Sequence, residues 1–153
     1  MRFQSKVKAA AVMAVFAAVT ISPDAFAGEI YSANGVAISG YDPISYFTDH
    51  RAVKGSDQFT ANYNGATFRF ASADHRDIFL KDPTHYAPQY GGFCAYGTAE
   101  GHKVPTDPQA FTVIGDKLYL NYNLDVRKKW RQDPSGYITQ ADKNWSAVKA
   151  QQD

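Results

Sequence analysis

Cys94 is the residue of this sequence whose chemistry is hardest to replace. Both methionines, Met1 and Met13, fall in the extreme N-terminal stretch, so beyond residue 27 the only sulfur is this thiol. Its thiolate would be a soft metal ligand or a nucleophile. The plainer alternative is a small buried hydrophobe, as most free cysteines are. A lone cysteine makes no internal disulfide. The thiol lies in Tyr90-Gly91-Gly92-Phe93-Cys94-Ala95, where paired glycines let the backbone approach a ligand or another strand closely. If Cys94 opens a short helix, the helix N-terminus would lower its pKa.

Histidine supplies the other candidate ligands. His75 shares a predicted helical face with Ile78 and Phe79 and so should point inward; it is the first choice to meet Cys94, and His85, in the segment after Asp82-Pro83, is the second. His85, in the Asp-Pro-x-x-Tyr loop, and His102, in Gly101-His102-Lys103, otherwise read as solvated loop residues. The four histidines follow no i,i+4 or His-x-His spacing, so a metal site built from Cys94, His75 and His85 must be assembled by the fold. Tyr41, Tyr86, Tyr90, Tyr96 and Tyr119 read as core or pocket wall. Asp42, Asp82, Asp107 and Asp133 each precede a proline, the chemistry of turn starts. Asn144-Trp145-Ser146 fits a glycosylation sequon, which matters only on a eukaryotic secretory route. No phosphate loop, dinucleotide fingerprint or nucleophile elbow is present, and no organic cofactor is expected.

Three functions compete on these residues. One is a protein that binds or handles a transition metal, copper or zinc, through Cys94 and histidine. The second is a thiol redox protein with Cys94 as catalytic nucleophile; with no second cysteine to resolve it, it would need an external thiol as partner. The third is a non-catalytic ligand-binding or scaffold module in which Cys94 is inert.

The elements that must position these groups begin after the N-terminus. Arg2, Lys6 and Lys8 precede an apolar run from Ala9 to Ile21, Pro23 breaks it, and Ala25-Phe26-Ala27 is a small-x-small cleavage signature. That order predicts a cleaved signal peptide, residues 1–27, and a periplasmic or secreted protein beginning at Gly28. The apolar run is too short for a transmembrane span, which needs about 20 residues. Without this leader, Lys+Arg falls from 16 to 13 and Asp+Glu from 15 to 14, a net charge near −1 that disfavours nucleic acid as a partner.

The rest of the chain repeats itself loosely. Asn64-Gly65, Phe68, Phe70, Phe79, Asp82-Pro83 and Tyr86 are echoed by Ile114-Gly115, Leu118, Leu120, Trp130, Asp133-Pro134 and Tyr137. Each copy, about 64–86 and 114–137, reads as a hairpin turn at the glycine and an alternating half-buried strand. An N-cap at Ser72 or Asn123 then opens a short helix that stops at Asp-Pro. An Asp-Pro pair, Asp42-Pro43 or Asp107-Pro108, opens each half. A last helix follows, with Ile138, Ala141, Trp145 and Val148 near helical spacing. The predicted class is α+β: a single small domain of two pseudo-repeated β-hairpin-plus-short-helix units with a C-terminal helix.

Several ordered pieces of the sequence resemble the YHS domain family, in particular its exported, bacterial-type branch. They are Gly40-Tyr41-Asp42-Pro43 with Tyr46-Phe47, Phe68-Arg69-Phe70-Ala71-Ser72, Asp82-Pro83 with Tyr86-Ala87-Pro88, Tyr90-Gly91-Gly92-Phe93-Cys94-Ala95, and Leu118-Tyr119-Leu120-Asn121. The resemblance runs from about Val36 to Trp145 and makes 28–153 a YHS-like domain. It implies a small module that handles copper or other heavy metals, with a metal-delivery partner. Metal-binding relatives carry two thiolates where this chain has Ala71 and His75, so only the imidazole occupies a ligand position here. The resemblance also implies reactive chalcogen chemistry at Cys94, where some relatives carry selenocysteine.

Overall fold

The computed structural model describes residues 29–152, so the predicted signal peptide lies outside the described residues. The chain opens with β1 (Ser32–Ala33) and β2 (Val36–Ala37), a 3-10 turn (Ile38–Gly40) and α1 (Ser45–Thr48). Then come β3 (Ser56–Tyr63), β4 (Ala66–Phe70), α2 (Ala73–Lys81) and α3 (Pro83–Tyr86). A second 3-10 turn (Gln89–Gly92) and α4 (Ala95–Ala99) lead to β5 (Asp107–Ile114), β6 (Lys117–Asn121), α5 (Leu124–Trp130) and α6 (Pro134–Lys149). The strands form a four-stranded sheet, β1-β2-β4-β3, and a separate hairpin, β5-β6. This is the α+β architecture of two hairpin-plus-helix units and a final helix.

The two units coincide residue by residue at a constant displacement. Ser56 pairs with Phe70 and Asp107 with Asn121; Tyr63 pairs with Ala66 and Ile114 with Lys117; every partner in the second hairpin lies 51 positions beyond its counterpart. Both hairpins carry an irregularity at the same place, between Ser56 and Thr60 and between Asp107 and Phe111. The same local bond holds each one: Ser56 Oγ accepts from the Gln58 amide at 3.1 Å, Asp107 Oδ1 from the Gln109 amide at 2.8 Å. Ser72 and Asn123 cap α2 and α5 through the amides of His75 and Val126. Asp82 and Asp133 adopt nearly the same backbone angles, φ −153° and −147°, and cap α3 and α6. Pro88 then forbids helix at Ala87, which is extended, so α3 stops after one turn whereas α6 runs for 16 residues.

This displacement corrects the sequence alignment of the units by one residue in the strands. The turn pairs are Asn64-Gly65 and Gly115-Asp116, all four at positive φ, so Gly65 corresponds to Asp116. Phe68 and Phe70 therefore correspond to Tyr119 and Asn121, not to Leu118 and Leu120. A one-residue shift in a strand exchanges its faces. In the first unit Phe68 and Phe70 meet Phe79 of α2, with ring centroids 4.9 and 5.2 Å apart. In the second, Tyr119 meets Trp130 of α5 at 5.2 Å. Leu118 and Leu120 turn the other way and join the first unit's core. Strand β6 is thus buried on both sides and fastens one core to the other. The Asp-Pro pairs at 42 and 107 are not equivalent either, since Asp107 corresponds to Ser56. No helix among the described residues is long and apolar enough to cross a membrane.

Candidate functional site

Cys94 is the N-cap residue of α4, in the seam between the units. Its amide donates to Val104 O at 2.9 Å, and its carbonyl accepts from the Thr98 amide at 2.8 Å and the Thr98 hydroxyl at 3.0 Å. The sulfur accepts from the Gly97 amide at 3.4 Å and donates to Asn121 Oδ1 at 3.5 Å. The expected helix N-terminus is therefore present, and the backbone amides of Gly97, Tyr122 and Tyr96 do favour the thiolate. Burial outweighs them. Cys94 is 1% exposed, and desolvation pushes its thiol above the ordinary value, which corrects the expectation of a lowered pKa.

The paired glycines serve a strand-like approach from the chain's own beginning. A Cβ at Gly91 would overlap the carbonyl oxygen of Glu29, and the Tyr31 amide donates to Gly91 O at 2.8 Å. The first described residues, Glu29 to Tyr31, thus lie against the seam. A cavity of about 220 Å³ opens beside them, walled by Tyr63, Pro88, Tyr90 and Trp145 among others, and Cys94 does not line it.

His75 lies on the first turn of α2, where Ser72 caps its amide. Its Nδ1 is 2.6 Å from Oδ2 of Asp42, a wholly buried carboxylate. The same oxygen accepts from the Ala71 amide at 2.9 Å, and Oδ1 accepts from the Ile44 amide at 2.8 Å. A carboxylate holding two amides is an acceptor, so Nδ1 carries the hydrogen and the imidazole lone pair falls on Nε2. The His75 side chain keeps 20% of its surface exposed, which leaves the ring in reach of solvent. His85 lies on α3, not in a solvated loop, and is engaged elsewhere: its Nε2 lies 3.3 Å from Asp116 in the second hairpin turn, and its ring packs on Phe47 and Tyr86. His102 is exposed.

Cys94, His75 and His85 thus have separate partners. Among the described residues no group of three His, Cys, Asp or Glu side chains is placed to hold a metal ion. Sequence reasoning took Asp42 for a turn residue only; nothing in the 33-position gap to His75 signals their contact. It also passed over Asn121, whose Oδ1 accepts from both the Cys94 thiol and the Tyr96 amide. A signal existed there, because Asn121 is a buried amide in the slot that the first unit fills with Phe70.

The YHS domain family model matches residues 44–90. Over that segment the chain is similar to YHS domains. The match runs from the start of α1 through the first unit to Tyr90, and so includes His75 and His85 but not Cys94. No curated protein and no solved structure matches the chain.

Proposed function

We propose that this protein is an exported YHS-domain module that handles a transition-metal ion as cargo, with His75 as its working ligand. The observation that carries the reading is the Asp42–His75 contact. A buried carboxylate fixes the ring and its tautomer, the usual support of a ligating histidine, and leaves Nε2 as the donor on a partly exposed side chain. His75 also falls inside the matched YHS segment, at a position where the resemblance puts a metal ligand.

One oriented imidazole makes a labile site. The remaining ligands must come from another molecule, which suits transfer of a metal better than its storage. Cys94, buried and bonded within the α4 cap, is a structural residue in this reading, and its raised pKa opposes the redox alternative. The basic start, short apolar run and Ala25-Phe26-Ala27 support export.

The test is a copper(II) or zinc titration of the purified protein, followed by amide NMR and calorimetry. His75→Gln should weaken binding about tenfold or more, the scale of losing a ligand or its orienting partner, and Cys94→Ser should leave it unchanged. Binding that survives His75→Gln, or that disappears with Cys94→Ser, would overturn the assignment. The intact mass of exported protein should begin at Gly28.

A further inference from the structure

The two units serve as controls for each other, and one of their differences lies on the helix side of the hairpin. In the first unit Ala61 of β3 and Leu80 of α2 occupy that place. The second unit has Thr112 and Arg131 at the corresponding positions. Thr112 is only 8% exposed, and its hydroxyl has no hydrogen-bond partner. A buried hydroxyl left unpaired costs about 1–3 kcal/mol, so a threonine where the repeat tolerates alanine calls for an explanation.

The surroundings supply one. Thr112, Arg127, Arg131 and His50 line a cavity of about 270 Å³. Arg127 is fixed over β5: its Nη1 donates to the carbonyls of Gln109 and Phe111, each at 3.2 Å, and its guanidinium lies 6.0 Å from the centre of the Phe111 ring. Those bonds use one nitrogen of the fork. The other N–H groups have no acceptor among the described residues, and neither does the Arg131 guanidinium. Arg127 and Arg131 are four residues apart and therefore on one face. Asp125 and Asp133 are the acids nearest in sequence: Asp133 caps α6 through the Gly136 amide, and Asp125 lines an adjoining hollow that Arg127, Lys128 and Arg131 share, but neither acid lines this cavity.

We propose that this cavity binds an oxyanion, a phosphate or a carboxylate, between the Arg127 and Arg131 guanidiniums, with the Thr112 side chain, which lines the cavity but whose hydroxyl is enclosed in this structure, turning to donate from the floor. Guanidinium forks match such anions geometrically, and a fork already tied to backbone loses less freedom on binding. The site is independent of His75 and of any metal.

The experiment is an amide NMR titration of the purified protein with inorganic phosphate and, separately, with succinate, against sodium chloride at matched ionic strength. Shifts should centre on Thr112, Arg127 and Arg131 and should be absent with chloride; the tighter anion names the ligand class. Arg131→Gln should weaken binding roughly tenfold, as loss of a charged hydrogen-bonding partner does. Thr112→Ala, which restores the first unit's residue, should weaken it several-fold without loss of fold. Lys128→Gln removes the same charge outside the cavity and should change affinity little. Equal losses with Lys128→Gln and Arg131→Gln, or shifts spread evenly over the basic residues, would mean general charge attraction and overturn the proposal.

Discussion

The Asp42 carboxylate sits 2.6 Å from His75 Nδ1 and simultaneously caps the amides of Ile44 and Ala71. One wholly buried side chain therefore joins the turn before α1, the end of β4 and the first turn of α2. Its removal orphans two amides, each worth about 1–3 kcal/mol when buried. Asp42→Ala should accordingly cost about 3 kcal/mol in denaturant unfolding. His75→Gln leaves both amides satisfied and should cost about 1 kcal/mol, the usual net worth of one hydrogen bond. Equal costs for the two variants would mean that the carboxylate is not the organising group.

Gly91 has φ +61° and the Glu29 carbonyl where its Cβ would be. Gly91→Ala meets both obstacles at once. The backbone conformation alone costs about 1–2 kcal/mol, and the N-terminal segment has to move as well. Hydrogen exchange should then show lost protection at the Tyr31 amide, which donates to Gly91 O, while the β5–β6 amides stay protected. Gly101→Ala, at φ +87° but in open space, serves as the control and should leave Tyr31 untouched.

Phe79 and Trp130 occupy equivalent positions, each wholly buried, each against the strand that precedes its helix. Truncation of either to alanine should cost about 3–5 kcal/mol, the usual range for a core aromatic. The two cores share β6, with Leu118 and Leu120 on one side and Tyr119 on the other. Unfolding of both variants should therefore remain a single transition by fluorescence and far-ultraviolet circular dichroism. Separate transitions for the two units would show that β6 does not couple them.

The repeat was legible because turn, cap and Asp-Pro chemistry is local. Ser72, Asn123, Asp82 and Asp133 each act on the amide three residues on, and sequence spacing records such bonds directly. The strand register was legible only to within one residue, since Gly65 and Gly115 look equivalent although they are the second and first residues of their turns. That single step concealed the two-sided burial of β6. The candidate site was less legible still. Cys94 stood out by rarity, yet its burial and its bond to Asn121 depend on how the units pack. The Asp42–His75 contact joins segments that only the closed fold brings together.

Burial tightens the hold of several weak acids of this protein on their protons. Desolvation is the largest cause raising the pKa of Cys94, Tyr46, Tyr90 and Tyr119; a hydrogen bond to Asp142 adds to it for Tyr90. The fold binds these protons more tightly than the unfolded chain does. The stability they contribute is therefore full below the ordinary values, 9.0 for the thiol and 10.0 for the phenols, and is lost as pH rises above them. Stability should fall from about pH 9 upward, and phenolate absorbance should show Tyr46, Tyr90 and Tyr119 titrating late or only with unfolding. Cys94 should react slowly with a thiol probe in the native state near neutral pH and rapidly in denaturant. Cys94→Ser keeps an acceptor for the Gly97 amide and should nearly preserve the melting temperature; Cys94→Ala loses the cap and should cost about 1 kcal/mol. Fast native labelling, at a rate close to that of the denatured chain, would show that the thiol is open to solvent and would return Cys94 to the list of reactive groups.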